Sequence, residues 1–215
     1  MPTHSSAERA ALADALTAAG PHRPTLCDGW TTTELAAHLV TRERRPDVTV
    51  SGMLPGLSGW GRRIQDKYAA QPYADLISAI RTGPPRTSPF ALPGVDKRVN
   101  LIEHFVHCED VRRAYTGDPG WTPRELPASR QTAFWAQLSV IGKLMFRRSP
   151  VTVGLRTPDG RTTTLHEQAG AERVDLVGEP AELVLYTYGR KDQAQVQLEG
   201  PDEAVATFRE LPLKA

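Results

Sequence analysis

Hydrophobic residues recur with a helical period over the first two thirds of the chain. In the segment "TTTELAAHLVTRERR", Leu35 and Leu39 lie one turn apart, and Thr31 stands three residues before Glu34, which is the spacing of a capping box. The pattern predicts further helices over about residues 5–19, 60–81 with a break before residue 72, 96–117 and 127–148. It therefore predicts a helical bundle.

Two long connections interrupt this pattern. The first, "PDVTVSGMLPGLSGWG" (residues 46–61), begins with the proline that closes a helix, and the second is "TGPPRTSPFALPG" (residues 82–94). Irregular loops of this length are uncommon in compact domains and are often functional. The first connection is thus expected to be a long irregular loop, from which Trp60 could line a pocket.

After Pro150 the hydrophobic period changes to that of strands. The segment "VTVGLRTPDGRTTTLHEQ" predicts a hairpin around residues 158–160, since Asp-Gly favours a tight turn. Two later segments each combine a short strand (174–177 and 194–198) with a helix, and Gly189 suits a helix end. The predicted organisation is a helical domain over residues 1–149, followed by a small α+β domain over residues 150–215.

Composition limits the classes of function. The 215 residues are 40% hydrophobic and 24% charged, and the formal net charge is +1, as in a soluble globular protein without attraction to nucleic acid or an anionic membrane. Two cysteines exclude a disulfide framework. The first residues lack the pattern of a secretory signal, and no apolar run approaches the length of a membrane span, so a cytoplasmic location is expected.

The helix that contains "NLIEHFVHCEDVRRA" (residues 100–114) carries the clearest candidates for metal-binding residues. Glu103 and His107 are four residues apart and can converge on one point, whereas His104 projects about 100° from Glu103. Asp110, one turn beyond His107, is placed to fix its tautomer or to pair with an arginine, either Arg113 or Arg42.

A third ligand should come from another helix, and His38 is the candidate because it lies between inward-facing leucines. Two histidines and one carboxylate form the ligand set of catalytic zinc, which keeps an open position. The alternative is a hydrogen-bonded core histidine and an ordinary helix pair. Arg190, after a helix end, would either satisfy terminal carbonyls or hold a carboxylate.

Two motifs resemble a known family. "LCDGWTTTELAAHLV" resembles the C-x-GW-x-x-x-x-LAAHL signature of the DinB-like branch that includes mycothiol-dependent maleylpyruvate isomerases, and "EHFVHCEDVRRA" resembles its second signature. "ERRPD" with the following loop is similar to an actinobacterial subfamily known for metal binding. The resemblance covers about residues 5–148, and the tail resembles a sterol-carrier-protein-like domain.

The resemblance implies a four-helix core that holds a divalent metal, usually zinc, through His38, Glu103 and His107. It implies a small thiol such as mycothiol as co-substrate, with transfer or isomerisation of a small electrophile. Arg81, Arg86 or Arg190 could then hold a carboxylate of the thiol or the substrate. Homodimers are common among such bundles. The alternative is a non-catalytic, metal-holding module that sequesters a small apolar ligand or a partner.

Overall fold

The computed structural model describes residues 3–51, 58–92, 100–114 and 121–213. The chain divides into two compact units, Met1–Thr122 and Pro123–Ala215. The first contains helices and the second contains a four-stranded sheet with helices, so the predicted mixture of a helical region and an α+β region is confirmed. None of the helices in the described part of the chain has the length and apolar character needed to cross a bilayer.

Helices form the N-terminal unit. In chain order they are α1 (His4–Ala19), α2 (Thr32–Arg44), α3 (Pro46–Ser51), α4 (Ser58–Ala69), α5 (Tyr73–Thr82), a 3-10 turn (Pro89–Ala91) and α6 (Leu101–Arg112). Helix α1 packs against α6 and α5, and α2 packs against α4 and α5. Leucines and alanines of α1 and α2 join Leu76 and Ile80 of α5 in the core between them. Their burial holds the helices together, because apolar area removed from water contributes about 25 cal/mol per Å².

The predicted cap of α2 is present. The Thr31 side chain accepts from the backbone of Thr33, and a carboxylate oxygen of Glu34 accepts from the Thr31 backbone N–H at 2.9 Å. For α1 the capping residue is Thr3, and Ser5 is buried inside the first turn.

The long connection after α2 is more regular than predicted. Pro46 begins the short helix α3 directly after α2 ends, which is compatible with proline because the first helical N–H needs no partner within the helix. Helix α4 already begins at Ser58, so Trp60 lies on a helix and not in a loop. The remaining residues of that loop, 52–57, lie outside the described residues.

Helix α6 is buried on almost every side. Its buried residues include His104, Glu109 and Asp110 as well as the apolar ones. The predicted helix, residues 96–117, extends at both ends onto residues outside the described ranges. Since buried charges are costly unless they are paired, α6 needs partners from its surroundings.

The C-terminal unit begins with a long helix. It contains α7 (Ala128–Met145), β1 (Thr152–Arg156), β2 (Thr162–His166), β3 (Arg173–Val177), α8 (Pro180–Thr187), a 3-10 turn (Lys191–Gln193), β4 (Gln197–Glu199) and α9 (Asp202–Arg209). The strand order is β2-β1-β3-β4, with β1 and β3 parallel and the outer pairs antiparallel. The predicted hairpin is the β1–β2 pair, and its turn contains Gly160 at φ +87°.

Helix α7 packs against α8 and β2, so it belongs with the sheet. The helical period predicted this helix as part of an N-terminal domain that ends at residue 149, whereas the division of the structure lies at residues 122 and 123. The reason is that α7 buries Phe134 and Leu138 within the C-terminal unit, a choice of packing partner that a helical period does not specify.

Gly189 should be the more sensitive of two glycines with the same backbone conformation. Both Gly189 and Gly160 have φ +87°, but a Cβ on Gly189 would lie 2.5 Å from the carbonyl oxygen of Leu213, whereas a Cβ on Gly160 meets no atom within 4 Å. We expect Gly189→Ala to lower the free energy of unfolding by about 1–3 kcal/mol, because strain and collision act together.

Urea unfolding followed by circular dichroism would measure this loss, with Gly160→Ala as the control for backbone strain alone. Equal losses in the two variants would show that contact with the Leu213 carbonyl does not matter.

Candidate metal centre

Helices α2 and α6 bring three donor atoms together. His38 Nε2 lies 3.6 Å from Glu103 Oε1, and His107 Nε2 lies 3.4 Å from the same oxygen. The three ligand atoms all lie within 4.8 Å of one another. The side chains of His38, Glu103 and His107 are 30%, 22% and 12% exposed, so the cluster is open to solvent on one side.

Local sequence explains this convergence. Glu103 and His107 are separated by four residues on α6 and therefore project from the same face. His38 is held between Leu35 and Leu39, which are buried in the core and fix the rotation of α2.

The donor set fits a divalent cation of the zinc type. Zinc bonds to histidine nitrogen and carboxylate oxygen are about 2.0–2.1 Å long, so neighbouring ligands in a tetrahedral site are about 3.3–3.4 Å apart. The observed separations of 3.4 and 3.6 Å from Glu103 Oε1 agree with this value. Three protein donors would leave a position for a small molecule.

Asp110 fixes the orientation of His107. Asp110 is fully buried, and its Oδ2 lies 2.9 Å from His107 Nδ1. A carboxylate only accepts, so Nδ1 carries the proton of this bond, and Nε2 faces Glu103. Of the roles that the sequence suggested for Asp110, the structure thus shows the contact with the imidazole.

Arg42 contacts the carboxylate of Glu103, and Asn100 accepts a hydrogen bond from the same arginine. Arg42 Nε lies 3.3 Å from Glu103 Oε1, its Nη1 donates to Asn100 Oδ1 at 2.9 Å, and its guanidinium lies 4.3 Å from the centre of the Phe90 ring. The guanidinium therefore places a fixed positive charge beside the carboxylate.

The pKa values of the two α6 residues move in opposite directions. Burial raises the pKa of Glu103, but hydrogen bonds from His107 and His38 and the positive charges of His107 and Arg42 outweigh it and hold this pKa well below its usual range. Burial lowers the pKa of His107, but its bonds with Asp110, Cys27 and Glu103 raise it well above the usual value. A cation that binds Nε2 must therefore displace a proton.

A loop before α2 contributes two residues that were not among those predicted from the sequence for this site. Cys27 Sγ donates to Asp110 Oδ2 at 3.2 Å and lies 3.7 Å from His107 Nδ1. The rings of Trp30 and His38 are 4.8 Å apart between centroids and inclined by 45°. The available signal was their position in the "CDGW" motif, directly before the helix that carries His38.

The other candidate residues make contacts of their own. Trp60 is 41% exposed and has the Arg45 guanidinium 5.6 Å from its ring centre. Arg81 pairs with Asp14 at 2.6 Å on the surface of the N-terminal unit. Arg190, in the C-terminal unit, donates to the carbonyl of Tyr188, which was the structural role considered for it.

His104 points away from the three donors, as its helical angle predicted. Its Nε2 lies 3.2 Å from Glu43 Oε1, and both side chains are almost completely buried. Arg9 contributes a positive charge to the same carboxylate at 3.5 Å. His104 is thus part of a separate buried ion network between α1, α2 and α6.

Comparison with known families agrees with the predicted resemblance. Residues 3–92 match the family model described as mycothiol maleylpyruvate isomerase N-terminal domain. The matched region contains the "CDGW" loop and His38, whereas Glu103 and His107 follow it. Comparisons with curated proteins and with solved structures gave no match.

Proposed function

We propose, from the match of residues 3–92 to the mycothiol maleylpyruvate isomerase N-terminal domain family, that this protein is a zinc-dependent enzyme that uses a low-molecular-weight thiol. Mycothiol is the thiol that the family suggests, and the substrate is a small electrophile. The observation that carries the proposal is the convergence of His38 Nε2, Glu103 Oε1 and His107 Nε2. The DinB-like four-helix arrangement is part of the same proposal.

His38, Glu103 and His107 would hold the cation. A bound divalent cation with an open coordination position would act as a Lewis acid and lower the pKa of a coordinating thiol into the neutral range. The partial exposure of the three side chains leaves access for a thiol and a substrate.

The surrounding residues prepare the site for this chemistry. Asp110 keeps the proton of His107 on Nδ1, so Nε2 has a free lone pair on the side where His38 and Glu103 lie. Arg42 balances the charge of Glu103, which leaves Asp110 as the remaining negative charge next to the donors. A bound divalent cation would therefore keep a net positive charge that favours an anionic thiolate over a neutral ligand. Trp30 covers part of His38 with an apolar ring.

Two reactions are compatible with such a site. In a transfer to an epoxide, the thiol sulfur bonds to a ring carbon, the C–O bond at that carbon breaks, the thiol proton goes to the oxygen, and the S–C bond remains in the product. In an isomerisation, the sulfur adds to a conjugated double bond, rotation occurs about the resulting single bond, and loss of the same thiol restores the double bond. The thiol proton moves to carbon on addition and leaves it on elimination, so isomerisation consumes no thiol.

The proposal also covers the C-terminal unit and the oligomeric state. A sterol-carrier-like role for residues 150–215, a homodimer and a cytoplasmic location rest on the sequence resemblance. In the N-terminal unit, Arg81 remains a proposed contact for a carboxylate of the thiol or the substrate, and Trp60 a proposed contact for an apolar part.

Thiol binding to the cobalt-loaded protein would test the proposal. Cobalt(II) substitutes for zinc and gains a sulfur-to-metal charge-transfer absorption when a thiolate coordinates. We expect this absorption on addition of mycothiol and none with an analogue in which a hydroxyl replaces the thiol.

A turnover assay distinguishes an enzyme from a non-catalytic binding module. The zinc-loaded protein with mycothiol should accelerate the disappearance of at least one class of electrophile, such as conjugated unsaturated acids or epoxides. Thiol binding without acceleration of any class would favour the non-catalytic module, and no thiol binding would contradict the proposed function.

A further inference from the structure

We propose that Cys27 is a positioning residue for His107, acting through Asp110; this rests on the metal site of the proposed function. Family membership and the ligand set assign no role to this thiol. The structure places it in hydrogen-bond distance of the carboxylate that orients a candidate ligand.

Two donors converge on one carboxylate oxygen. Asp110 Oδ2 accepts from His107 Nδ1 at 2.9 Å and from Cys27 Sγ at 3.2 Å, and the carboxylate is fully buried. A buried carboxylate rotates out of position unless hydrogen bonds hold it, because a buried acceptor without a donor is costly. The hydrogen bond from the Cys27 thiol thus helps to keep Asp110 Oδ2 in place next to the imidazole of His107.

The backbone fixes Cys27 at this place. Leu26 N–H donates to the carbonyl oxygen of Asp110 at 3.1 Å, so the loop is joined to α6 at the same residue that the thiol contacts. The Cys27 N–H donates to Thr25 Oγ1 at 3.2 Å, and Trp30 N–H donates to the Cys27 carbonyl at 3.0 Å. Gly29 permits this turn with φ +75°.

The same loop also reaches the second histidine. Trp30, three residues after Cys27, lies against the ring of His38. One short segment therefore contacts the surroundings of both imidazoles, one through Asp110 and one directly. Preorganised ligands bind a cation with less loss of conformational freedom, so this loop should strengthen metal binding.

The distances favour a hydrogen-bonding role for Cys27 over direct ligation. A cation bound by Cys27, Asp110 and His107 Nδ1 would replace the proton of the Nδ1–Oδ2 bond, and 2.9 Å is shorter than the roughly 3.3 Å between neighbouring ligands of a tetrahedral zinc. The separations around Glu103 Oε1, 3.4 and 3.6 Å, match that value better.

Zinc affinities of cysteine variants would test the proposal. Cys27→Val keeps an apolar side chain of similar size without a donor, whereas Cys27→Ser keeps a donor. Cys108→Ala is the matched control, since the other cysteine is buried in the hydrophobic core. Competition with a chromophoric chelator gives each zinc dissociation constant, and thermal unfolding of the metal-free proteins shows that each variant is folded.

We expect Cys27→Val to weaken zinc binding by about 3–10-fold, less than the roughly 10–100-fold effect of a residue bonded directly to a ligand. Cys27→Ser should remain within about twofold of the wild type, and so should Cys108→Ala. If serine fails to restore binding, or if the valine variant binds as tightly as the wild type, the positioning role is wrong.

A parallel variant distinguishes failure of the positioning role of Cys27 from failure of the metal site. His107→Ala, measured in parallel, must lose zinc if the site exists, whatever the cysteine variants do. A charge-transfer absorption of cobalt in the absence of added thiol, lost in Cys27→Val and kept in Cys108→Ala, would instead show that Cys27 is a ligand and would overturn the positioning role.

Discussion

Replacement of His107 by alanine will reduce the zinc content of the purified protein to less than about one-tenth of the wild-type value. The variant removes one of three converging donors and also leaves the buried Asp110 without its imidazole partner. Loss of an indirect partner already weakens zinc sites by about 10–100-fold, so loss of a ligand should weaken binding further. Elemental analysis of untagged protein after dialysis measures the content directly.

His166→Ala is the control, because this histidine lies on β2 in the C-terminal unit. It should retain the wild-type metal content. Equal metal content in the wild type and in His107→Ala, or none in either protein after incubation with zinc, would contradict the site.

Removal of the metal gives a second readout of the same effect. A ligand at about a thousand times its dissociation constant stabilises the folded state by about 4 kcal/mol. Chelation should therefore lower the thermal stability of the wild type reversibly, while His107→Ala should respond little to either zinc or chelator.

The largest effect on stability is expected for Glu109→Ala. Glu109 is fully buried and accepts from Arg113 Nε at 2.7 Å and from Arg112 Nη1 at 2.9 Å. Arg113 is itself 1% exposed and lies 4.5 Å from the centre of the Trp121 ring. Loss of this carboxylate removes the counter-charge that Glu109 places beside a buried guanidinium, which costs about 3–5 kcal/mol of unfolding free energy.

Urea unfolding of the metal-free protein would measure this loss without a contribution from zinc. Glu199→Ala is the matched control, since Glu199 pairs with Arg156 on the surface and such pairs contribute about 0–1 kcal/mol. A loss below about 1 kcal/mol for Glu109→Ala would mean that Arg113 finds water or another acceptor when the carboxylate is removed.

Local sequence specified most of the secondary structure. The Thr31–Glu34 spacing predicted the start of α2, and the Asp-Gly turn predicted the β1–β2 hairpin, because both depend on hydrogen bonds within a few residues. The prediction of a long irregular loop from Pro46 onward was wrong in part, since proline can begin a helix as well as end one.

Within the candidate site, the sequence determined the pair on α6. Glu103 and His107 project from one face because the helical period brings residues i and i+4 together, and the same period turns His104 away from that face. Asp110, one turn further, is close to His107 for the same reason. These relations hold in any helix with this sequence.

Only the tertiary structure decided which residues meet across elements. The packing of α2 against the rest of the N-terminal unit brings His38 and Arg42 to Glu103, and a loop places Cys27 on Asp110 from 83 positions away in the sequence. The association of α7 with the sheet was decided in the same way. A helical period shows which face of a helix is apolar, but the partner that covers this face depends on shape and burial over the whole core.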